Sequence, residues 1–287
     1  MLYVVNYANG EPYESFRKVN TKSAYVFGRA DKVFEYSSFD IPSDYKLLHK
    51  NIFSYKRGAG LWLWKPYIIL DALSKIKYND WLFYCDSGAI FVNNLKKLVT
   101  CAIENNTDIL LVEQPMLNRQ FCKHESYVGM QIYDSGENQL LSGYILLKKT
   151  DKTIDFIREW KKWCEIEDIV SPNHFHADVK EWPDFYSHRE DQSILTLLAI
   201  KHKLPSFRDC SDYGMMPYMY SSPDWSYCPK NYPNSTYPTI VLCSRKMNPL
   251  KYAIKYLIKR VFSTLGIYYT EKQVLQKRGI TYENHNI

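Results

Sequence analysis

Apolar and polar positions follow two periods along this chain, and each period predicts one kind of element. Apolar runs of strand length predict strands at residues 2–7, 24–27, 81–84, 109–113, 144–148 and 239–243. Apolar residues at helical spacing predict helices over residues 65–77, 95–104, 150–166, 191–201 and 249–262. Strands that alternate with helices indicate an α/β fold, in which a mostly parallel central sheet is flanked by helices.

Residues 58–91 form the most informative segment. A Gly-broken, Trp-rich loop is followed by a helix with Pro66 in its first turn and then by an apolar run at 81–85. A strand that is apolar throughout is normally covered on both faces, so we expect it in the middle of the sheet. Asp86-Ser87-Gly88 follows at the carboxyl end of this strand, where open α/β sheets bind ligands. Asp86 is therefore a candidate for a divalent cation on a phosphate, and capping of the next turn is the alternative.

This order of Trp-Lys-Pro, helix and strand ending in Asp-x-Gly resembles GT-A-fold glycosyltransferases, particularly those of bacterial surface-polysaccharide (capsule or O-antigen) gene clusters. The resemblance implies a Rossmann-like sheet and a nucleotide-diphosphate sugar as donor. In that family, a DXD-type motif at this strand end holds Mn²⁺ or Mg²⁺ against the diphosphate. Asp86 is accordingly expected to bind metal or diphosphate, with Ser87 beside it, although Gly88 stands where the second Asp of the motif would be.

Further donor-side candidates follow from the same resemblance. The small pair Ser142-Gly143 precedes a predicted strand, allows close approach of the backbone, and corresponds to a turn that lines the donor sugar. Asn6, at the end of the first strand, is expected near the nucleotide base. Cations stabilise the charge of a leaving diphosphate, and the candidates are Arg57, Lys65, Arg245 and Lys246. For the last two, a solvated basic turn is the alternative.

The run from His188 to Ser193 supplies the acceptor-side candidates. It resembles the acidic element of GT-A enzymes, in which a carboxylate serves the acceptor. Transfer with inversion needs a base beside the acceptor hydroxyl, and Asp191 or Glu190 is the candidate for this catalytic role. His188 and Arg189 are candidates for binding phosphate or acceptor. Helix capping is the alternative for the carboxylates, and Gln192 leaves a retaining mechanism open.

Charge is concentrated near the C-terminus. The net charge is +6, and residues 225–270 contain seven basic residues and no acidic one. Within the predicted helix 249–262, the apolar residues form one stripe and Lys251, Lys255 and Lys259 form another. A basic amphipathic helix is typical of attachment to an anionic membrane surface, whereas a terminal helix packed on the domain is the alternative. A pI of about 8.7 with the basic residues confined to one helix is a poor fit to nucleic-acid binding.

The cysteine content indicates the cellular compartment, and the length of two irregular segments indicates functional loops. Seven scattered cysteines without CxxC spacing disfavour a disulfide framework or a zinc site and favour a reducing cytoplasm. No apolar run is long enough to span a membrane, and the first residues do not resemble a signal peptide. Residues 114–140 are expected to form a long functional loop, and residues 210–237 an ordered irregular segment over the active-site face.

The sequence therefore predicts a GT-A-like catalytic domain over residues 1–247 and a C-terminal amphipathic helix and tail over residues 248–287. The expected reaction is transfer of a sugar from a nucleotide-diphosphate donor to a glycan acceptor in surface polysaccharide biosynthesis, with a lipid-linked glycan as one option. The expected location is cytoplasmic, with peripheral attachment to the inner face of the membrane if the C-terminal helix binds lipid. Two rival classes are a non-catalytic carbohydrate- or nucleotide-binding protein on the same fold and a nucleotidyltransferase.

Overall fold

A computed structural model describes residues 1–244, 247–264 and 271–279. In this part of the chain, a six-stranded sheet has the order β2-β1-β3-β6-β5-β7, and β4 pairs with β8 in a small second sheet. Only β6 runs against the other strands of the large sheet, so three of its five pairings are parallel. The α/β class and the mostly parallel sheet predicted from the sequence are confirmed. The strands are β1 (Leu2–Tyr7), β2 (Lys32–Tyr36), β3 (Trp81–Cys85), β4 (Ala89–Phe91), β5 (Ile109–Leu117), β6 (Asn138–Lys148), β7 (Ser206–Arg208) and β8 (Val241–Cys243).

Helices cover both faces of the large sheet. The longer ones are α1, α5, α6, α9 and α11, and α13 lies near the C-terminus. In chain order the helices are α1 (Tyr13–Val26), α2 (Ser43–Leu48), α3 (Lys50–Ser54), α4 (Gly58–Leu61), α5 (Trp64–Ser74), α6 (Lys96–Glu104), α7 (Asn118–Phe121), α8 (His124–Met130), α9 (Asp151–Cys164), α10 (Glu167–Val170), α11 (Glu190–Lys201), α12 (Asp212–Met215), α13 (Pro249–Thr264) and α14 (Glu271–Lys277).

The central strand β3 explains why the sheet has a core on each side. Its side chains alternate between two apolar clusters: Leu82 and Tyr84 face the cluster built with α5, α9 and α11, and Phe83 and Cys85 face the one built with α1 and α6. All five residues of the strand are buried, as the unbroken apolar run predicts. Asp86 comes immediately after the strand, at the edge where β1 and β5 also end.

Two sequence predictions about local structure were wrong. Residues 24–27 are not a strand, because they end the helix α1, whose buried face includes the polar residues Asn20 and Ser23. Polar residues on the buried face hide the helical period, and a four-residue apolar run does not distinguish a strand from a helix turn. Residues 114–140 are not a loop either, because they hold α7, α8 and extensions of β5 and β6. The edge strand β2 was missed because charged residues interrupt it.

The helix α13 forms as predicted, and its apolar stripe faces outward. Leu257 is 60% exposed, and its neighbours on the stripe are also exposed. The helix is held at its start, where the Tyr252 hydroxyl donates to Asp212 at 2.5 Å. In the described residues no helix is both long and apolar enough to cross a membrane. The exposed side chains on this stripe are Leu250, Ile254, Leu257, Ile258, Val261 and Phe262.

Candidate active site

Asp86 is held at the edge of the sheet by the strand beside it. Its backbone N–H donates to the Gly143 carbonyl at 2.9 Å, which continues the pairing of β3 with β6. The Tyr84 hydroxyl donates to Asp86 Oδ1 at 2.7 Å, because residues two apart on a strand share a face. A Cβ on Gly143 would lie 2.9 Å from Asp86 Oδ2, so a glycine here leaves room for the carboxylate. The side chain of Asp86 is about half exposed.

Beneath Asp86 lies a buried ion pair. Lys65 Nζ, at the start of α5, is 2.8 Å from Asp191 Oδ2, at the start of α11, and donates to Ser142 Oγ at 2.9 Å. Its distance to Asp86 Oδ1 is 3.9 Å. Burial alone would lower the pKa of Lys65, but the carboxylates of Asp191 and Asp86 raise it above its ordinary value. Lys65 therefore carries its positive charge in an enclosed position directly under the exposed carboxylate.

Amide side chains extend the buried polar layer around Lys65 and Asp191, which is called the floor of the site below. Gln192 Oε1 accepts from the Ser142 N–H at 3.3 Å, while its Nε2 donates to Gln139 at 2.7 Å and to Gln114 at 3.0 Å. All four residues are buried. A buried polar network with its hydrogen bonds satisfied fixes the positions of its members, so the floor is rigid.

The second carboxylate of α11, Glu190, forms an ion pair with Arg57, and this pair is called the rim below. Its oxygens accept from Arg57 Nε at 2.5 Å and Nη2 at 3.3 Å. The Glu190 side chain is 2% exposed, whereas that of Arg57 is 58% exposed. Burial raises the pKa of Glu190 to about 7, although Arg57 acts in the opposite direction. Glu190 also has a positive φ of 37°, an uncommon conformation for a residue with a side chain.

The segment before α5 makes a left-handed turn. Five consecutive residues, from Gly58 to Trp62, have φ between 51° and 99°. The Trp62 N–H donates to the Gly58 carbonyl, and a Cβ on Gly58 would lie 2.3 Å from the Trp62 ring. L-residues with side chains rarely adopt this conformation, and Ala59, Leu61 and Trp62 do so here. The turn brings Trp62 and Trp64 to one side of the site.

A cavity of about 570 Å³ opens above Asp86. Asp86, Ser87, Gly88 and Gly143 form part of its wall, and Gln114 reaches it from the end of β5. Seven aromatic residues line this cavity, and aromatic rings can stack on a base or a sugar ring. They are Tyr7, Tyr13, Trp62, Trp64, Tyr84, Tyr144 and Tyr220.

The donor set of this cavity fits a cation that arrives with a phosphate. Among the described residues, no three His, Cys, Asp or Glu side chains come together as a ready-made metal site. Mg²⁺ is commonly bound by one or two carboxylates together with substrate phosphates and water. The half-exposed Asp86 carboxylate supplies one such ligand, while the Lys65 ammonium 3.9 Å away already balances part of its charge.

The structure brings most predicted donor residues together. Asp86, Ser87 and Gly143 line the cavity, Lys65 and Ser142 lie under it with Asp191, and Arg57 pairs with Glu190 at the rim. Arg189 lines a neighbouring cavity instead. Arg245 and Lys246 lie outside the described residues, although Cys243 shortly before them lines the cavity.

Neither Asn6 nor His188 lines this cavity or its neighbour. Asn6 is buried, and its amide donates to Asn20 and Thr21 of α1, so Tyr7, Ala8 and Asn9 take its place in the wall. His188 is buried, and its Nδ1 accepts from the Lys123 N–H. Burial lowers the pKa of His188 to about 3, so it is neutral near pH 7 and offers no charge to a phosphate.

Sequence reasoning also missed several residues of the wall. Tyr7 follows Asn6 on the first strand, and strand alternation puts neighbouring side chains on opposite faces, so the pattern alone did not show which one reaches the ligand edge. Gln114 and Tyr220 come from segments interpreted as a loop and an irregular region. The predicted irregular segment 210–237 does supply Tyr220 to the cavity. The abundance of Tyr, 25 residues in all, was the one compositional signal for these positions.

No protein-family model and no curated protein matches this sequence. Several solved structures resemble its fold. Mouse xyloside xylosyltransferase 1 in its apo form has a TM-score of 0.47 at 11% identity, covering 86% of this chain and 98% of that chain. The galactosyltransferase LgtC, with donor and acceptor sugar analogues, has a TM-score of 0.43 at 16% identity, covering 84% and 86%. A glycosyltransferase involved in glycosylation of the major capsid of PBCV-1 has a TM-score of 0.45 at 9% identity, covering 90% and 98%.

Proposed function

We propose that this protein is a glycosyltransferase that transfers a sugar from a nucleotide-diphosphate donor to a glycan acceptor. The observation that carries the proposal is the half-exposed Asp86 carboxylate, at the carboxyl end of a central strand, in an aromatic cavity of about 570 Å³. Ligands of open α/β sheets bind at this edge, and the cavity size suits a nucleotide sugar. The GT-A-type glycosyltransferase resemblance of the Trp-Lys-Pro to Asp-Ser-Gly segment agrees with this assignment.

In this proposal the donor is bound by its base on the aromatic wall and by its diphosphate near Asp86 and Ser87. Gly143 and Ser142 lie at the donor sugar. A divalent cation, Mn²⁺ or Mg²⁺, would be held by Asp86 together with the diphosphate and would supply positive charge to the leaving group. Lys65 contributes charge from below, and Arg57 from the rim. Arg245 and Lys246, which follow β8 in the sequence, are proposed to complete the positive surroundings of the diphosphate.

The acceptor is proposed to lie on the side of α11. During transfer the bond between the anomeric carbon and the diphosphate oxygen breaks, a bond to the acceptor oxygen forms, and the acceptor hydroxyl loses its proton. Of the two candidate bases Glu190 is proposed, because its pKa, raised by burial to about 7, suits a group that takes up a proton near neutral pH. Asp191 is held by Lys65, so its role is to position the floor of the site.

We further propose that α13 attaches the enzyme to an anionic membrane surface, where a lipid-linked glycan would be available. The apolar stripe of α13 is exposed, and Lys251 and Lys255 are exposed beside it. Apolar side chains combined with lysines are typical of helices that lie in the headgroup region. This arrangement supports a role on the inner face of the membrane in surface polysaccharide synthesis.

The first experiment is a thermal-shift screen of nucleotide sugars with and without Mn²⁺ on the full-length protein. A donor at 100 times its Kd should stabilise the protein by about 2.7 kcal/mol. Asp86→Asn should abolish that shift and the release of nucleotide diphosphate, whereas Asp155→Asn, an exposed carboxylate on α9, should leave both unchanged. If no nucleotide sugar shifts the melting temperature of the wild type, the proposed function is wrong.

The second experiment tests the base. Glu190→Gln should lower kcat by about 100- to 10,000-fold and remove the ionisation near pH 7 from the pH–rate profile. Glu104→Gln, on the exposed side of α6, is the matched control. Unchanged turnover in Glu190→Gln would contradict the assignment of the base but not the donor site.

A non-catalytic binding protein is favoured by one specific observation, the engagement of both α11 carboxylates in ion pairs with Lys65 and Arg57. Such a protein would bind a nucleotide sugar without turning it over, in the presence of any acceptor. Release of free nucleotide diphosphate by the wild type, lost in Asp86→Asn, would exclude this alternative.

A further inference from the structure

A second cavity, of about 390 Å³, shares one wall with the donor cavity. Tyr220 lines both, and its hydroxyl is fixed by donating to Asp209 Oδ2 at 2.7 Å. Trp225 and Met219 give the second cavity apolar surface, and Arg189 and Arg278 give it positive charge. Among the described residues that line it, none is a carboxylate. The cavity is therefore suited to a ligand that is partly flat or apolar and carries negative charge.

Arg278 is held in this cavity by neutral oxygens. Its Nη1 donates to the Ser221 carbonyl at 2.6 Å, to Ser221 Oγ at 3.1 Å and to the Tyr218 carbonyl at 3.2 Å. Within the described chain no carboxylate forms an ion pair with it. Neutral partners orient a guanidinium without cancelling its charge, so Arg278 remains able to bind an anion.

Arg189, the other arginine that lines this cavity, contacts an aromatic ring and an amide. Its Cζ lies 4.3 Å from the centre of the Phe121 ring, and its Nη1 donates to Gln114 Oε1 at 3.2 Å. Gln114 also lines the donor cavity and accepts from Gln192. Arg189 is next to Glu190 in the chain, so this guanidinium connects the second cavity to the proposed catalytic centre.

Trp225 provides the apolar part of the cavity and is itself fixed. Its indole N–H donates to the Tyr220 carbonyl at 2.9 Å, and its ring packs edge-on against Phe121 and Tyr186. An indole ring held in this way is a suitable platform for the apolar face of a sugar.

We propose that this second cavity is the acceptor subsite and that the acceptor is an anionic sugar, whose phosphate or carboxylate is bound by Arg189 and Arg278. The inference rests on the proposed function, because an acceptor presupposes a donor in the neighbouring cavity. Guanidinium groups bind phosphate and carboxylate by paired hydrogen bonds, which is the chemistry shared by both kinds of anion. The C-terminal segment that carries Arg278 thereby contributes directly to substrate selection.

The test is calorimetric titration of the full-length protein with glucose 6-phosphate, glucuronate and glucose, with and without UDP. Both anionic sugars should bind more tightly than glucose, and their affinity should fall with salt. Arg278→Gln and Arg189→Gln should each weaken binding of the anionic sugars about 10- to 100-fold, the expected range for a lost hydrogen bond to a charged group. Arg278→Lys should lose less, because it keeps the charge. Arg158→Gln, an exposed arginine on α9, should change nothing.

Equal affinity for glucose and glucose 6-phosphate in the wild type would overturn the inference without recourse to any variant. Unchanged binding in a correctly folded Arg278→Gln, checked by circular dichroism, would overturn it as well. If UDP binds and the anionic sugars do not, the acceptor inference fails while the proposed function stands. If the anionic sugars bind through Arg278 but neither UDP nor any nucleotide sugar binds, the proposed function fails, and the cavity is an anion site unrelated to transfer.

Discussion

The two carboxylates that begin α11 are neighbours in the chain but belong to different regions of the site. Asp191 belongs to the floor, where both it and Lys65 are almost completely buried. Glu190 belongs to the rim, where its partner Arg57 is mostly in solvent. A buried ion pair is costly to break, whereas a pair with one exposed partner contributes little by itself. The Lys65–Asp191 pair of the floor is therefore a rigid support. At the rim, Glu190, with a pKa of about 7, is the group that can take up or release a proton.

Removal of the Lys65 ammonium should have the largest effect on the free energy of unfolding. Lys65→Met leaves the Asp191 carboxylate buried without its partner, so the free energy of unfolding should fall by about 3–5 kcal/mol near neutral pH. Denaturant unfolding followed by circular dichroism gives this value. Arg57→Met is the matched control at the rim and should cost much less, because Arg57 is mostly exposed to solvent.

The double variant Lys65→Met/Asp191→Asn sharpens this comparison. It removes both charges, so its free energy of unfolding should fall by less than the sum of the falls in Lys65→Met and Asp191→Asn. If Lys65→Met and Arg57→Met lower the free energy of unfolding equally, the burial of Lys65 does not make its ion pair more important for stability than that of Arg57.

The raised pKa of Glu190, at the rim, should make the stability of the protein depend on pH. The pKa of Glu190 is raised to about 7, so the folded state binds a proton between about pH 4.5 and 7 that the unfolded state has released. Stability from this group is present below pH 4.5 and is lost as the pH rises towards 7, by at most about 3 kcal/mol. Thermal melts of Glu190→Gln and wild type should therefore diverge in the variant's favour over this range. Parallel curves would contradict the raised pKa.

A smaller effect is expected where β6 touches Asp86. Gly143→Ala puts a methyl group 2.9 Å from Asp86 Oδ2, and the carboxylate must move. Misplacement on this scale costs up to about 100-fold in rate, so kcat/KM for the nucleotide sugar should drop about 10- to 100-fold with little change in stability. Unchanged kcat/KM in a correctly folded Gly143→Ala would show that the added methyl group does not displace the Asp86 carboxylate.

The smallest effect concerns the left-handed turn beside the rim. Ala59 has φ and ψ of 51°, which glycine adopts without strain. Ala59→Gly should change the free energy of unfolding by no more than about 1 kcal/mol, with relief of strain set against greater freedom of the unfolded chain. Ala59→Val should destabilise by more. A large loss in Ala59→Gly would show that the methyl group itself is needed in the cavity wall.

The sequence was most informative where burial is uniform. The strand β3 and the position of Asp86 were predictable, because an apolar run covered on both faces has few alternatives. The strand β2 and the helix α1 were not, since an edge strand carries charges and α1 buries polar residues against Ala89 and Phe91. The pairing of Lys65 with Asp191, and of Arg57 with Glu190, joins residues distant in the chain. Local patterns contain no information about such contacts, and so the floor and the rim could not be separated from the sequence.

Tyr220 lines three neighbouring cavities, including a third one of about 320 Å³ beside Glu113 and Asp209. A single residue therefore contributes to the walls of all three. A smaller residue in its place would enlarge all three cavities at once. If the proposed function holds, the room available to a bound saccharide depends on the size of one side chain.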